Sequence, residues 1–253
     1  MAQRWRLIND EPHDGFYNMA VDESLFKYYQ RYKVPVFRIY SWLYPFLTIG
    51  FRQNISDITL DDDKVCYTKR ITGGGAILHA NELTYSMVLG KETFSESYNI
   101  KQMYKFICGF LIFFYSSLGA RPKFAGDVFP DKRLGEPSAF CFLKYEHYDL
   151  LINGKKIGGN AQRWSGRNLL QHGSIPIISP NDGVSTAICD FCGSTDKKIL
   201  ARQLIASFKK YFSVDLVPDE LSKEERRFAN KRAGEMRAIY DEEIKSSKTI
   251  LAR

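Results

Sequence analysis

The chain has 253 residues, 44% hydrophobic and 26% charged. That length suits one large domain, or one with a small appendage, and buries a substantial core. A net charge of +7 from 36 Lys and Arg against 29 Asp and Glu admits nucleic acid or an acidic protein as partner. The basic residues are scattered, however, with no long Lys/Arg block and no nucleic-acid module. The start of the chain lacks the apolar run of a signal peptide, and its longest apolar stretch, 106–118, is too short to span a bilayer. The expectation is a cytoplasmic protein without membrane association. An odd count of five cysteines (Cys66, Cys108, Cys141, Cys189 and Cys192) fits reduced thiols in that compartment.

Asp14 reads as the N-cap of a helix over 15–31, with Met19, Leu25, Phe26 and Tyr29 near helical spacing. Segments 36–40 and 47–51 read as strands around a turn at Trp42, Tyr44 and Pro45. Strands follow over 65–69, 76–79 and 83–89, then the longest helix over 99–118. A loop over 127–138, with Pro130, Gly135 and Pro137, delivers Cys141. Segments 148–152 and 156–163 read as a hairpin around Asn153 and Gly154, a strong short-range turn signal. Another strand covers 169–177. The last third is helical, over 196–212 and from 222 to about 244, and Pro218 suggests a boundary between a domain over 1–216 and a short helical extension over 217–253. The organisation is α+β, with no internal repeat.

Three motifs carry chemistry. Cys141, followed by Phe142, stands fifteen residues ahead of Lys156. A thiolate is a strong nucleophile, and a nearby ammonium lowers a thiol pKa, so the pair suits acyl transfer through a thioester. The competing reading is a buried structural cysteine beside a solvated lysine. Upstream, Arg70 and Thr72 precede Gly73, Gly74 and Gly75, then His79, and Tyr85 follows after Glu82. Three glycines let backbone N–H groups approach an anion or a carbonyl, although a plain turn between strands would use them too. Downstream, His172 interrupts the apolar strand 169–177, either lining a pocket or satisfied within a core. Alternation along 156–163 would put Lys156, Gly158, Asn160 and Gln162 on one side, and Gly158 and Gly159 would make room for an acyl tail. Cys189 and Cys192 form a CxxC without the further ligands of a zinc site, so no metal is expected. Cys192 serves as a reserve nucleophile.

The ordered segments RITGGGAILH, ELTYS, CF, HYDLLINGKKIGGNAQ and LLQHGSI resemble the catalytic domain shared by lipoate–protein ligases, biotin ligases and octanoyltransferases, most of all the octanoyltransferases that load the glycine-cleavage H protein. The likeness runs from Trp5 to Glu225. It implies a mixed β-sheet flanked by helices. It implies Cys141 as acyl carrier and Lys156 as its activator, with substrate bound by Arg70, Thr72, Gly73, Gly74, Gly75, His79, Tyr85, Gly158, Gly159, Asn160, Ala161, Gln162 and His172. Acyl carrier protein would be the donor, and a lipoyl-type domain or H protein the acceptor. Both are acidic, which favours the protein reading of the charge. No cofactor is expected. Two positions depart from the octanoyltransferase pattern: Gly75 stands where Arg is usual, and Asn160 where Ser is usual. Both lean toward an ATP-dependent lipoate–protein ligase, which would use ATP and Mg, while ELTYS, the Cys141–Phe142 pair and QHGS lean toward the transferase. A non-catalytic acyl- or carrier-binding member is a third alternative, and the retained cysteine and lysine argue against it.

Overall fold

The Asp14 carboxylate accepts from the Tyr17 N–H and starts α1, Gly15–Tyr32, which stops where Lys33 turns left-handed at φ 53°. The computed structural model describes residues 2–58, 65–94, 97–129, 146–179 and 182–251. Cys141, Phe142 and most of the proline-containing loop before them lie outside the described residues.

Strand β1 (Arg4–Asn9) precedes α1, and β2 (Val36–Tyr40), β3 (Phe46–Ile49), β4 (Cys66–Lys69), β5 (Ile77–His79) and β6 (Glu82–Gly90) follow it. Helix α2, Ile100–Ser117, begins at a capping box in which Asn99 and Gln102 satisfy each other's backbone N–H. Next come β7 (Lys123–Phe124), the short α3 (Ala125–Val128), β8 (Leu150–Ile152), β9 (Lys155–Lys156), β10 (Gly159–Ser165) and β11 (Asn168–Pro176). The chain finishes with α4 (Lys197–Phe212), β12 (Asp215–Pro218) and α5 (Lys223–Leu251).

The main sheet has six strands in the order β10-β11-β6-β2-β1-β12. Its β1 pairs parallel with β2 and β12, and the pairs β2–β6, β6–β11 and β11–β10 are antiparallel. On one face α2 and α4 bury Met103, Ile107, Phe110, Leu204 and Phe208 against Phe37, Tyr85, Met87 and Leu89. On the other, α1 and α5 bury Phe16, Met19, Leu25, Ala229 and Met236 against Val36, Tyr40 and Val88. This is the mixed sheet flanked by helices expected from the sequence. Two three-stranded sheets, β4-β3-β5 and β7-β8-β9, complete the fold. The proposed boundary at 217 falls inside β12. Beyond it, α5 shares the α1 core through Ala229 and Met236.

The Asn153–Gly154 turn forms as expected, with φ of 51° and 78°, the left-handed pair of a tight hairpin. The strand after it does not run on to residue 163. Gly158 turns left-handed at φ 69°, and a Cβ there would overlap the Ser174 carbonyl oxygen. The chain leaves the small sheet after β9 and enters the main sheet as β10. The single face expected for Lys156, Gly158, Asn160 and Gln162 is therefore broken at Gly158. Only Asn160 and Gln162, opposite Gly173 and Gln171, share a face of the main sheet.

Candidate active site

Strands β6 and β11 are buried on both faces. One face of β6 is apolar (Leu83, Tyr85, Met87, Leu89), and the other presents buried Glu82, Thr84 and Ser86 beside His172 and Ser174 of β11. Buried polar groups are costly unless they are hydrogen-bonded, and these satisfy one another in two groups. In the first, Glu82 accepts from Thr84 Oγ1 at 2.6 Å and Ser174 Oγ at 2.7 Å, and its Oε1 lies 2.8 Å from His79 Nδ1. His79 Nε2 meets Thr48 Oγ1 at 2.8 Å, and its ring stacks on Trp42 with centroids 3.9 Å apart.

The second group centres on Asp22 of α1. It accepts from Ser86 Oγ at 2.7 Å, Arg38 Nη1 at 2.8 Å and Tyr40 OH at 3.0 Å, and lies 3.0 Å from His172 Nδ1. A carboxylate only accepts, so His172 carries its proton on Nδ1 and takes the Thr72 hydroxyl on Nε2, 2.7 Å away. Burial opposes the Asp22 charge, but the bond from His172 and the Arg38 guanidinium outweigh it and hold the carboxyl below its ordinary value. Burial likewise opposes the Glu82 charge, and His79 overcomes it, leaving that carboxyl lowered. Burial pushes His172 down, so the ring stays neutral near pH 7.

Arg70, almost wholly buried at the end of β4, turns its guanidinium onto the glycine loop. Nη2 donates to the Gly73 and Gly75 carbonyls, each at 2.7 Å, and Nη1 to the Thr48 carbonyl at 3.1 Å. Gly74 sits at φ 92°, and its carbonyl oxygen occupies the space that a Cβ on Gly50 would need. Close approach thus requires glycine at both positions.

Between the loop and the polar sheet face lies a small cavity that opens to solvent. Of the residues expected from the sequence, Arg70, Gly74, His79, Gly159, Asn160, Ala161 and His172 line it. Thr72 reaches it through His172, and Tyr85 through Asn160, whose Oδ1 accepts from the Tyr85 hydroxyl at 2.7 Å. Gly73, Gly75, Gly158 and Gln162 do not line it. Met19, Tyr40, Thr48, Thr84 and Ser174 also line it and were not anticipated.

Lys156 lies apart from this cavity. Its side chain is 1% exposed, its Nζ lies 2.6 Å from Asp149 Oδ2, and neither residue lines this cavity. Asp149 also accepts from the Glu146 N–H at 2.7 Å. Burial pushes the Asp149 carboxyl up, more than the Lys156 ammonium pulls it down. Cys189 is exposed, and Cys192 lies half-buried against the α2–α4 core, away from the cavity lining. Among the described residues no three His, Cys, Asp or Glu side chains are grouped to hold a metal ion, and no helix is long and apolar enough to cross a membrane.

Solved structures share this architecture. A lipoate-protein ligase A bound with ATP superposes with a TM-score of 0.75 at 20% identity, over 91% of this chain and 94% of that one. A bi-partite lipoate protein ligase from Thermoplasma acidophilum, solved in a study with its E2 lipoyl domain, gives 0.74 at 20%, over 92% of each. At that identity the likeness is one of fold. Sequence relatives are nearer. An octanoyltransferase LipM of Clostridioides difficile is 37% identical over 180 residues, 68% of this chain and 65% of the relative, so that match spans just under two thirds of its length. One of Bacillus cereus is 31% identical over 88% of this chain and 91% of its own. Residues 14–220 match the family described as the lipoyl protein ligase A/B catalytic domain. With the glycine loop, the buried lysine and the cavity between two sheets, this chain belongs to that family.

Proposed function

We propose that the octanoyl transfer this chain performs in protein lipoylation runs through a thioester on Cys141. The reading is carried by the likeness to octanoyltransferases along nearly the whole chain, together with Cys141, the cysteine that the sequence resemblance implies as acyl carrier. The Cys141 thiolate attacks the thioester carbonyl of octanoyl-acyl carrier protein. The tetrahedral intermediate expels the carrier's thiolate, leaving octanoyl-Cys141. A neutral lysine amine of a lipoyl-type domain or H protein then attacks that carbonyl. The amide forms, the Cys141 thiolate leaves, and the amine's extra proton passes to it or to solvent. Thioester to amide is downhill, so no ATP is consumed. Lys156 is the cation assigned to favour the thiolate, acting electrostatically in a dry site. Its companion Asp149 fixes where that ammonium stands.

Intact-protein mass after incubation with octanoyl-acyl carrier protein tests the reading. One octanoyl mass should appear, labile to hydroxylamine, without ATP, and Cys141→Ser should abolish it. Acylation of the Cys141→Ser protein at Cys192 would move the nucleophile. The ligase alternative keeps a footing in Gly75 and Asn160. If Cys141→Ala keeps full activity and free lipoate with Mg-ATP modifies the acceptor, that alternative replaces the transferase.

A further inference from the structure

The exposure of the cavity's lining residues marks where it opens. Gly74 is exposed, Asn160 and Ala161 are half-buried, and the other lining residues are buried. The mouth therefore lies between the glycine loop and β10, the edge strand of the main sheet. Strand alternation puts Arg163 on the same face as Ala161. Ala161 stands opposite His172, and Arg163 opposite Leu170, which belongs to the α1–α5 core. On the other lip, Phe51 follows Gly50, which packs against the Gly74 carbonyl, and the Phe51 N–H donates to the Thr72 carbonyl at 2.9 Å. The Arg163 guanidinium reaches across to the Phe51 ring, 5.1 Å from its centroid. One side chain from each lip thus meets the other at the surface, where Phe51 is still 52% exposed.

Cations gather at this place without anions. Arg52, next to Phe51, is exposed, as are Arg163 and Lys69, and Lys69 lines a groove together with Phe51. Among the described residues no carboxylate pairs with Arg52, Lys69 or Arg163. Arg232, which lines the same groove, is by contrast paired with Glu23 and Glu235. A partner that covers this rim must bring carboxylates of its own. Reach decides which partner that is. A lysine side chain extends only a few ångströms beyond its backbone. A protein that offers a lysine amine to an acyl group at this cavity must set its own surface on the mouth. A carrier with a long flexible prosthetic arm can dock farther away.

We propose that Phe51, Arg52 and Arg163 form the docking lip for the acyl-accepting domain, and that Arg52 and Arg163 receive carboxylates beside its target lysine. The inference rests on the octanoyl-transfer reading. A guanidinium held over an aromatic ring keeps N–H donors at its edge, and these can fork onto a carboxylate. Phe51 thus orders Arg163 before the partner arrives, which lowers the entropic cost of the contact. Lys69 adds to the positive field. The same rim repels a lysine-bearing surface that lacks carboxylates, so it selects which lysine is acylated.

The test charges the full chain with octanoyl-acyl carrier protein and then mixes it with a lipoyl-type acceptor domain or with Nα-acetyl-lysine methylamide. Single-turnover transfer is followed by mass at low and high NaCl. Arg163→Glu should raise the half-saturating acceptor concentration by about 10-fold, and Arg52→Glu with Arg163→Glu by about 10²-fold, with a weaker salt dependence. Charging of the enzyme and transfer to the small amine should keep their wild-type rates. An acceptor whose carboxylates beside the lysine are changed to Lys should regain transfer with the double variant, which a merely structural role would not give. Should a melt show that a Glu variant fails to fold, Arg52→Gln with Arg163→Gln takes its place. Unchanged half-saturation and salt dependence, with normal wild-type transfer, would overturn this assignment alone. So would slower charging with normal acceptor saturation, which would put the carrier on the lip, or an equal loss with the small amine, which would mean a damaged cavity. A wild-type protein that takes no octanoyl group from the carrier would overturn the transfer reading and this assignment with it.

Discussion

Replacing Asp149 by Asn keeps the size of the side chain and removes the charge that faces Lys156 Nζ at 2.6 Å. At an effective dielectric of about 20, unit charges at that separation attract by roughly 6 kcal/mol. Part of that attraction offsets the cost of bringing both groups out of water. Stripping one partner from a buried pair costs about 3–5 kcal/mol. The Asn carbonyl can keep the bond from the Glu146 N–H, so the expected loss is near the lower end, about 3 kcal/mol. Urea unfolding followed by tryptophan fluorescence should show a lower midpoint with an unchanged slope. The double variant Lys156→Met with Asp149→Leu should regain most of the loss, because no charge is then left behind in the interior. A loss below about 1 kcal/mol, the size of an exposed pair, would refute the reasoning, since it would mean that water solvates the ammonium.

Lys156→Ala should cut octanoyl transfer by roughly two orders of magnitude, Lys156→Arg should not restore it, and the exposed Lys155→Ala should transfer normally. Equal sensitivity of the two lysines in a transfer assay would contradict the assignment. Gly158→Ala places a Cβ against the Ser174 carbonyl at a left-handed φ, and chemical denaturation should register about 2 kcal/mol or more of lost stability. Arg70→Lys gives up the forked hold on the Gly73 and Gly75 carbonyls, so melting should drop and KM for the acyl donor should rise. Stability should fall in acid in two stages. With His172 held below its ordinary 6.5, the unfolded chain binds more protons just under that pH, and stability rises with pH there. Asp22 and Glu82 are held below their ordinary values. Their contribution is present above about pH 4 and lost as pH falls through their folded values. Melting temperatures from pH 8 to 3 check this, and a rise on going from pH 7 to 5 would contradict it.

Much of the fold was legible because its signals are local. Asp14 announces α1 by capping chemistry, and Asn153 with Gly154 announces the hairpin. Gly158 was read as a place where an acyl tail passes or as a bend in the strand. It is where the chain changes sheets, and the reason, the Ser174 carbonyl beneath it, lies sixteen positions away. Asp149 could have been found. A two-residue turn fixes the register, so Leu151 lies opposite Lys156, and Asp149 is its diagonal neighbour on the same face. Asp22 could not have been found. Its role depends on α1, β2, β6 and β11 converging, and no spacing along the chain announces that. Asn160 was visible as a departure from a pattern, and the bond it accepts from the Tyr85 hydroxyl appears only in the fold.

Strand β1 has its two parallel partners at opposite ends of the chain: β2 follows closely, whereas β12 begins at Asp215. Arg6 is bonded to Asp219 and Glu225, and Ser24 Oγ to the Glu225 carbonyl. During synthesis at about 5–20 residues per second, the outer edge of β1 and the exposed flank of α1 therefore wait roughly 10–40 seconds for their partners. A naked parallel edge is a template for pairing with other chains. The nascent protein spends that interval as its most aggregation-prone form, and closure by the last strand and helix makes the final act of folding a long-range one.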